Sequence, residues 1–144
     1  MKKKYRKASR AILVTPEKKV LLMKYESPDG RWCGWITPGG GLAAAETHTQ
    51  ALCRELKEEL NLSVKDTGEP VLTLTHEFQY ENALVVQHDT FFYITVDEFV
   101  INRLHQPDSF ESQCITEIRW FSIKELQSCD DLLVPSNIVD YIEK

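Results

Sequence analysis

The chain has 144 residues, 42% of them hydrophobic and 27% charged, the size and balance of one ordinary folded domain with enough apolar material for a core. Acids outnumber lysines and arginines by 22 to 17, and the resulting net charge of −5 argues against a polyanion-binding surface as the main role. No segment is apolar for long enough to span a membrane, and Cys33, Cys53, Cys114 and Cys129 form neither a C-x-x-C pair nor a zinc-ligand spacing with a histidine, as expected of reduced thiols in a cytoplasmic protein.

The basic run Met1–Lys7 reads as a solvated lead-in to a first strand, Ala11–Val14. That apolar run is too short for a signal peptide, which needs roughly 7–15 residues, and Thr15-Pro16-Glu17-Lys18 ends it in a turn. Val20–Tyr25 then forms the second arm of a hairpin. Ser27-Pro28-Asp29-Gly30 is a turn. Trp32–Thr37 is extended, because Pro38 disfavours helix at Thr37. Gly39-Gly40-Gly41 predicts a loop whose backbone can approach a ligand closely.

A helix is expected from Glu46 to Leu60, with Leu52, Leu56 and Leu60 as its buried stripe. Asn61 falls where the helix should stop, and asparagine tolerates the left-handed conformation of a helix end. Val71–Tyr80, Ala83–Val96 and Ile115–Phe121 are rich in β-branched and aromatic residues and read as strands. Ser122–Leu126 predicts a short capped helix, and Pro135–Ile142 a closing helix with its proline near the first turn. Strands mixed with a few helices imply helices packed on a sheet.

Glu55, Glu58 and Glu59 stand at i, i+3 and i+4, on one face of the expected helix. Like charges at that spacing oppose helix formation by roughly a few tenths of a kcal/mol per pair. A solvated charged face is the commoner meaning of three such glutamates. A bound cation is the alternative, and hard divalent ions such as magnesium take carboxylate oxygens.

The wider spacing decides between them. Gly40-x5-Glu46-x7-Arg54-Glu55-Leu56-x-Glu58-Glu59-x-Asn61-Leu62 resembles the Nudix box, G-x5-E-x7-R-E-U-x-E-E-x-G-U with U a bulky aliphatic. It departs only at Asn61, where the family has glycine. The segment Trp35–Gly41 also resembles the lead into that box. The resemblance implies a single α/β domain, a Nudix-like α/β/α sandwich around a mixed β-sheet. It also implies hydrolysis of a phosphoanhydride in a nucleoside diphosphate linked to another moiety, with magnesium as cofactor and manganese as a substitute. By the same resemblance Glu55, Glu58, Glu59 and the Gly40 carbonyl are expected metal ligands, and Arg54 orients Glu55 with Glu46 as its ionic partner. On one straight helix Glu46 and Arg54 would lie about 12 Å apart along the axis, so Glu46 should sit at the helix mouth with Arg54 reaching back.

The general base is expected to be Glu55 or an acid outside the box, Glu117 or Glu111. Arg10, Arg31, Trp32, Phe78 and Tyr80 are candidates to meet phosphate or stack on a base, although core packing is the commoner fate of an aromatic. His48, His76, His88 and His105 lack metal-ligand spacing and read as structural or exposed. The spacing of Tyr80 from the box resembles a marker of dinucleoside-polyphosphate hydrolases. No proline stands where the ADP-ribose group has one.

A small-molecule nucleotide is the expected partner, with no nucleic-acid polymer and no membrane, and a homodimer is left open. The first substrate expectation is an ordinary or oxidised (deoxy)nucleoside triphosphate split to monophosphate and pyrophosphate. Dinucleoside polyphosphates and nucleotide sugars are the alternatives. A non-catalytic nucleotide sensor and an RNA-processing role are the rivals of other classes.

Overall fold

The computed structural model describes residues 2–80, 82–101 and 114–143. In chain order its elements are β1 (Lys2–Val14), β2 (Val20–Glu26), β3 (Cys33–Ile36), β4 (Gly39–Gly41), α1 (His48–Leu60), β5 (Pro70–Tyr80), β6 (Ala83–Thr95), β7 (Ile115–Phe121), α2 (Ile123–Gln127), β8 (Leu132–Val134) and α3 (Ile138–Ile142). The described strands form one sheet in the order β5-β6-β1-β2-β3-β8, with β4 attached to β1 and β7 to β2. It is mixed: β1 with β6 and β3 with β8 are parallel, the other pairs antiparallel.

Strand β1 is much longer than the expected Ala11–Val14. Its residues Ala8–Val14 are buried and Lys2–Lys7 exposed. The lysines are solvated as expected, but their backbone is a strand, because β6 offers a parallel partner from Lys2↔Ala83 to Val14↔Thr95. Main-chain pairing needs no apolar side chain, and the long lysine stems reach water from either face.

The predicted hairpin is present, with β1 and β2 meeting at Val14↔Val20. Beyond that turn β2 pairs with β3 and β7, and the neighbouring edge of β1 is taken by β4. The Gly39–Gly41 segment is therefore a short strand and not a loop. It pairs Ser9↔Gly40 and Arg10↔Gly39. Gly39 has φ +139°, and a Cβ there would collide with the Ser9 carbonyl, so the pairing itself demands glycine.

Helix α1 starts two residues later than expected. Thr47 is its N-cap: its hydroxyl accepts from the Gln50 N–H at 3.1 Å, and the Gln50 side chain accepts from the Thr47 N–H at 2.9 Å. This is a capping box, and it leaves Glu46 just outside the helix. Asn61 closes the helix in the left-handed conformation, φ 55°, as expected. Its N–H bonds the Lys57 carbonyl at 3.0 Å, and the Leu62 N–H bonds that of Leu56 at 3.2 Å.

Leu52, Leu56 and Leu60 pack on Ala11, Leu13, Leu21, Met23, Phe92 and Ile94 at one face of the sheet. The alternate residues Ile12, Val14, Val20, Leu22, Trp35, Phe91 and Phe121 form the second core, with Leu126 of α2 and Ile138 and Ile142 of α3. Helices thus cover both faces of a mixed sheet, as the family resemblance implied. The capping box of α2, built from Ser122 and Glu125, was also legible in the sequence. The closing helix is shorter than Pro135–Ile142. Asn137 is its N-cap, and Leu132–Val134 instead adds a parallel strand beside β3. No helix among the described residues is long and apolar enough to cross a membrane.

Candidate active site

The glycine strand β4 lies beside the acid face of α1. A Cβ at Gly40 would be 2.6 Å from the carboxyl carbon of Glu55, so the space a side chain would fill holds that carboxylate. One residue earlier, the Gly39 N–H donates to Glu59 Oε1 at 3.0 Å. Two of the three acids are thereby fixed against this strand, Glu55 in the space that only a glycine at 40 leaves open and Glu59 on a main-chain N–H.

Arg54 ties the rest together. Its Nε and Nη2 donate to Glu46 Oε2 at 2.8 Å and Oε1 at 2.9 Å, a two-pronged pair. Nη2 also donates to the Gly41 carbonyl at 3.1 Å. Nη1 donates to Glu55 Oε1 at 3.0 Å and reaches Glu58 Oε2 at 3.4 Å. Glu46 further accepts the Ala43 N–H at 2.7 Å. The expected geometry is realised: Glu46 sits before the helix mouth, and Arg54 reaches back to it.

These bonds set the protonation of the pair. The Arg54 hydrogen bonds, then the Ala43 N–H, lower the Glu46 carboxyl from 4.5 to about 2. The Glu46 carboxylate in turn raises Arg54 above its ordinary value. A depressed folded-state pKa stabilises the fold fully above the unfolded value and ceases to do so as pH falls through the folded one. The melting temperature should therefore fall as pH drops from 4.5 towards about 2, in part through Glu46. Glu46→Gln should lower it at pH 7 and make it fall less through the acid window. Calorimetric melts at a series of pH values check this, and identical slopes for both proteins would refute it.

Glu55, Glu58 and Glu59 offer carboxylate oxygens and Gly40 a carbonyl, the hard donors that magnesium takes. The donor chemistry and the cradle at Gly40 fit such an ion. Among the described residues no three acid, histidine or cysteine side chains are grouped as they would be around a metal. The Arg54 guanidinium instead bridges Glu55 and Glu58.

The other expected site residues are scattered. Arg10 is buried, its Nε 3.7 Å from Asp89 and its Nη1 bonded to the Gly39 carbonyl at 3.2 Å, so it braces β4 from behind. Phe78 and Tyr80 are exposed on strand β5. Arg31 lies in the Ser27–Gly30 turn region beside Asp29. Trp32 packs on Tyr25, ring centroids 5.7 Å apart, and its ring would meet a side chain at Gly34. Glu117 is exposed on β7, in register with Lys24. Glu111 and His105 lie outside the described residues. His48 and His88 bond the hydroxyls of Ser9 and Thr75.

One polar group was missed in the sequence. Gln87 and Asp89, only 3% and 4% exposed, are linked at 2.9 Å in the middle of β6. Arg6 donates to Gln87 at 3.1 Å, and His76 donates to Asp89 at 2.9 Å. Burial pushes the Asp89 carboxyl up, but His76, Arg10 and Gln87 outweigh it and hold the group below its ordinary value. The available signal was the run of four polar residues, Gln87-His88-Asp89-Thr90, set between the apolar segments Ala83–Val86 and Phe91–Ile94 of one strand.

The model of the NUDIX domain matches residues 4–139. The chain belongs to the Nudix family. As a Nudix protein it is, in general terms, a hydrolase of nucleotide phosphoanhydrides. Its fold is similar to that of the dihydroneopterin triphosphate pyrophosphohydrolase of E. coli, at TM-score 0.64 and 16% identity over 95% of both chains. It is similar to the MutT protein of Methanosarcina mazei Go1, at TM-score 0.61 and 18% identity, covering 99% of this chain and 96% of that one. The E. coli ORF135 protein is 25% identical at TM-score 0.55, covering 94% of this chain and 84% of its own. No curated protein matches the sequence.

Proposed function

We propose that the chain is a magnesium-dependent pyrophosphohydrolase whose first substrate is a (deoxy)nucleoside triphosphate, cleaved to monophosphate and pyrophosphate. One observation carries the reading: a single arginine holds Glu46, Glu55 and Glu58 together beside a glycine strand that also receives Glu59. Four acids kept at this density need a counter-charge, and Arg54 supplies only part of it.

Glu55, Glu58, Glu59 and the Gly40 carbonyl would hold magnesium, or manganese in its place; when bound, the ion offsets phosphate charge and acidifies an attacking water. Arg54 keeps Glu55 aimed, because Glu46 anchors the other edge of the guanidinium. Glu55 is the proposed base and takes the water proton on a carboxylate oxygen. The water oxygen bonds to the phosphorus on one side of the α,β bridge as the bridging P–O bond to it breaks. The electron pair leaves on the bridging oxygen with the other product, pyrophosphate for attack at the α-phosphorus and monophosphate for attack at the β-phosphorus. Gly40 lets the Glu55 carboxylate approach the backbone without an intervening side chain, and the Gly39 N–H holds Glu59.

Product release from nucleoside triphosphates, dinucleoside polyphosphates and nucleotide sugars, with magnesium and with chelator, tests the reading. Chelator-sensitive release of pyrophosphate from triphosphates is expected. Turnover confined to another class would replace the substrate, and nucleotide binding without any turnover would make the chain a sensor.

A further inference from the structure

On the sheet face opposite α1, β1, β6 and β5 present a polar and aromatic surface that the proposed chemistry does not use. Alternation along β1 places Lys2, Lys4 and Arg6 on that face. The pairing sets Arg6 beside Gln87, and Gln87 beside His76. Phe78 follows on β5, its ring 5.9 Å from that of His76. Arg6 is exposed, the His76 side chain is 50% exposed and Phe78 37%.

Two features make this more than a surface. First, Gln87 and Asp89 are buried and bonded to each other, and each holds one of the outward donors: Gln87 holds Arg6, and Asp89 holds His76. Burying such a pair carries a desolvation penalty that an apolar pair would avoid. What it achieves is orientation, with two donors aimed by a rigid interior. Second, the surface runs into the acid site. The Arg6 guanidinium fills the space of an absent side chain at Gly41, 2.7 Å from where a Cβ would stand. The carbonyl of the same Gly41 is held by Arg54. Both guanidiniums therefore touch Gly41, Arg54 at its carbonyl beside the acids and Arg6 where its side chain would stand, on the shelf.

We propose that this shelf recognises the nucleotide. Arg6 takes a phosphate oxygen next to the scissile group, the His76–Phe78 pair takes the base by stacking, and Gln87 and Asp89 are positioning residues that aim Arg6 and His76. The assignment rests on the hydrolase reading only for which phosphate is attacked. A guanidinium suits phosphate through its planar array of donors, and an aromatic face suits any base.

The test is calorimetric binding of an α,β-methylene nucleoside triphosphate and of inorganic tripolyphosphate to the whole protein with magnesium, beside steady-state kinetics. Arg6→Ala should weaken both ligands by about tenfold or more, the loss expected of a charged hydrogen bond. Phe78→Ala should weaken the nucleotide by about tenfold and leave tripolyphosphate unchanged. Gln87→Leu should raise KM by about tenfold with kcat little altered, a split that general destabilisation would not produce. If that variant fails to fold, the two exposed positions still decide. Wild-type affinity for both ligands in Arg6→Ala and Phe78→Ala would overturn the shelf, as would a wild-type protein that binds neither. Binding lost as expected in a protein that turns over no nucleotide would uphold the shelf and defeat the hydrolase reading alone.

Discussion

Replacing Glu59 with glutamine should lower turnover at least about a hundredfold, the range expected when a preorganised electrostatic group is removed, while the melting temperature stays nearly unchanged. The substitution is clean for a structural reason. Glu59 accepts the Gly39 N–H through Oε1, and the glutamine carbonyl can accept the same bond with the same reach. Only the negative charge is lost. A hydrogen-bonding role would therefore survive the change, whereas a role in holding a cation would not. Initial rates over a range of magnesium concentrations, with melts of both proteins, decide it. Wild-type turnover in Glu59→Gln would remove Glu59 from the metal ligands, and a collapse in melting temperature would mean the acid serves the fold.

Gly40→Ala should separate activity from stability in a second way. The added methyl would stand 2.6 Å from the Glu55 carboxyl carbon and 2.7 and 2.9 Å from its two oxygens. The atoms in the way are the tip of a flexible side chain, so Glu55 can swing aside and the fold should survive. The Glu55 carboxylate would then leave the position that Arg54 Nη1 gives it at 3.0 Å. A misplacement of about an ångström can cost on the order of a hundredfold in rate, and a loss of that size is expected in kcat. Gly39→Ala makes the contrast: its methyl would meet the Ser9 backbone at φ +139°, and a protein that no longer folds is expected. Full activity in Gly40→Ala would show that the placement of Glu55 does not limit the reaction.

What could be read in advance follows the range of the interactions. Helix α1 was legible because its signals are local: a leucine stripe every four residues, an acid face, and an asparagine that can adopt the left-handed turn. The box spacing then brought out Arg54 and Glu46, although their pairing spans the helix mouth. Strand β7 and the capped helix α2 are local patterns too. The missed features all depend on distant partners. Lys2–Lys7 is a strand only because β6 lies beside it, and Gly39–Gly41 only because the edge of β1 is open to it. Leu132–Val134 pairs with β3 across the sheet. The Arg6–Gln87–Asp89–His76 chain exists only in one register of three strands. A shift of one residue would send those side chains to the other face. For the same reason Arg10, read as a candidate for the substrate, lies buried behind β4.

The long strand β1 also bears on how the protein is made. Its parallel partner is 81 residues further along the chain. During synthesis the stretch Ala8–Val14, buried in the fold and apolar from Ala11, thus emerges well before the strand that will cover one of its edges. Contacts at such separation slow folding, and unpaired strands invite association with other chains. The six residues ahead of that stretch, Lys2–Lys7, include five lysines and arginines. Such charges act as gatekeepers beside an exposed apolar strand. In the nascent protein the same basic run would keep this strand from finding the wrong neighbour.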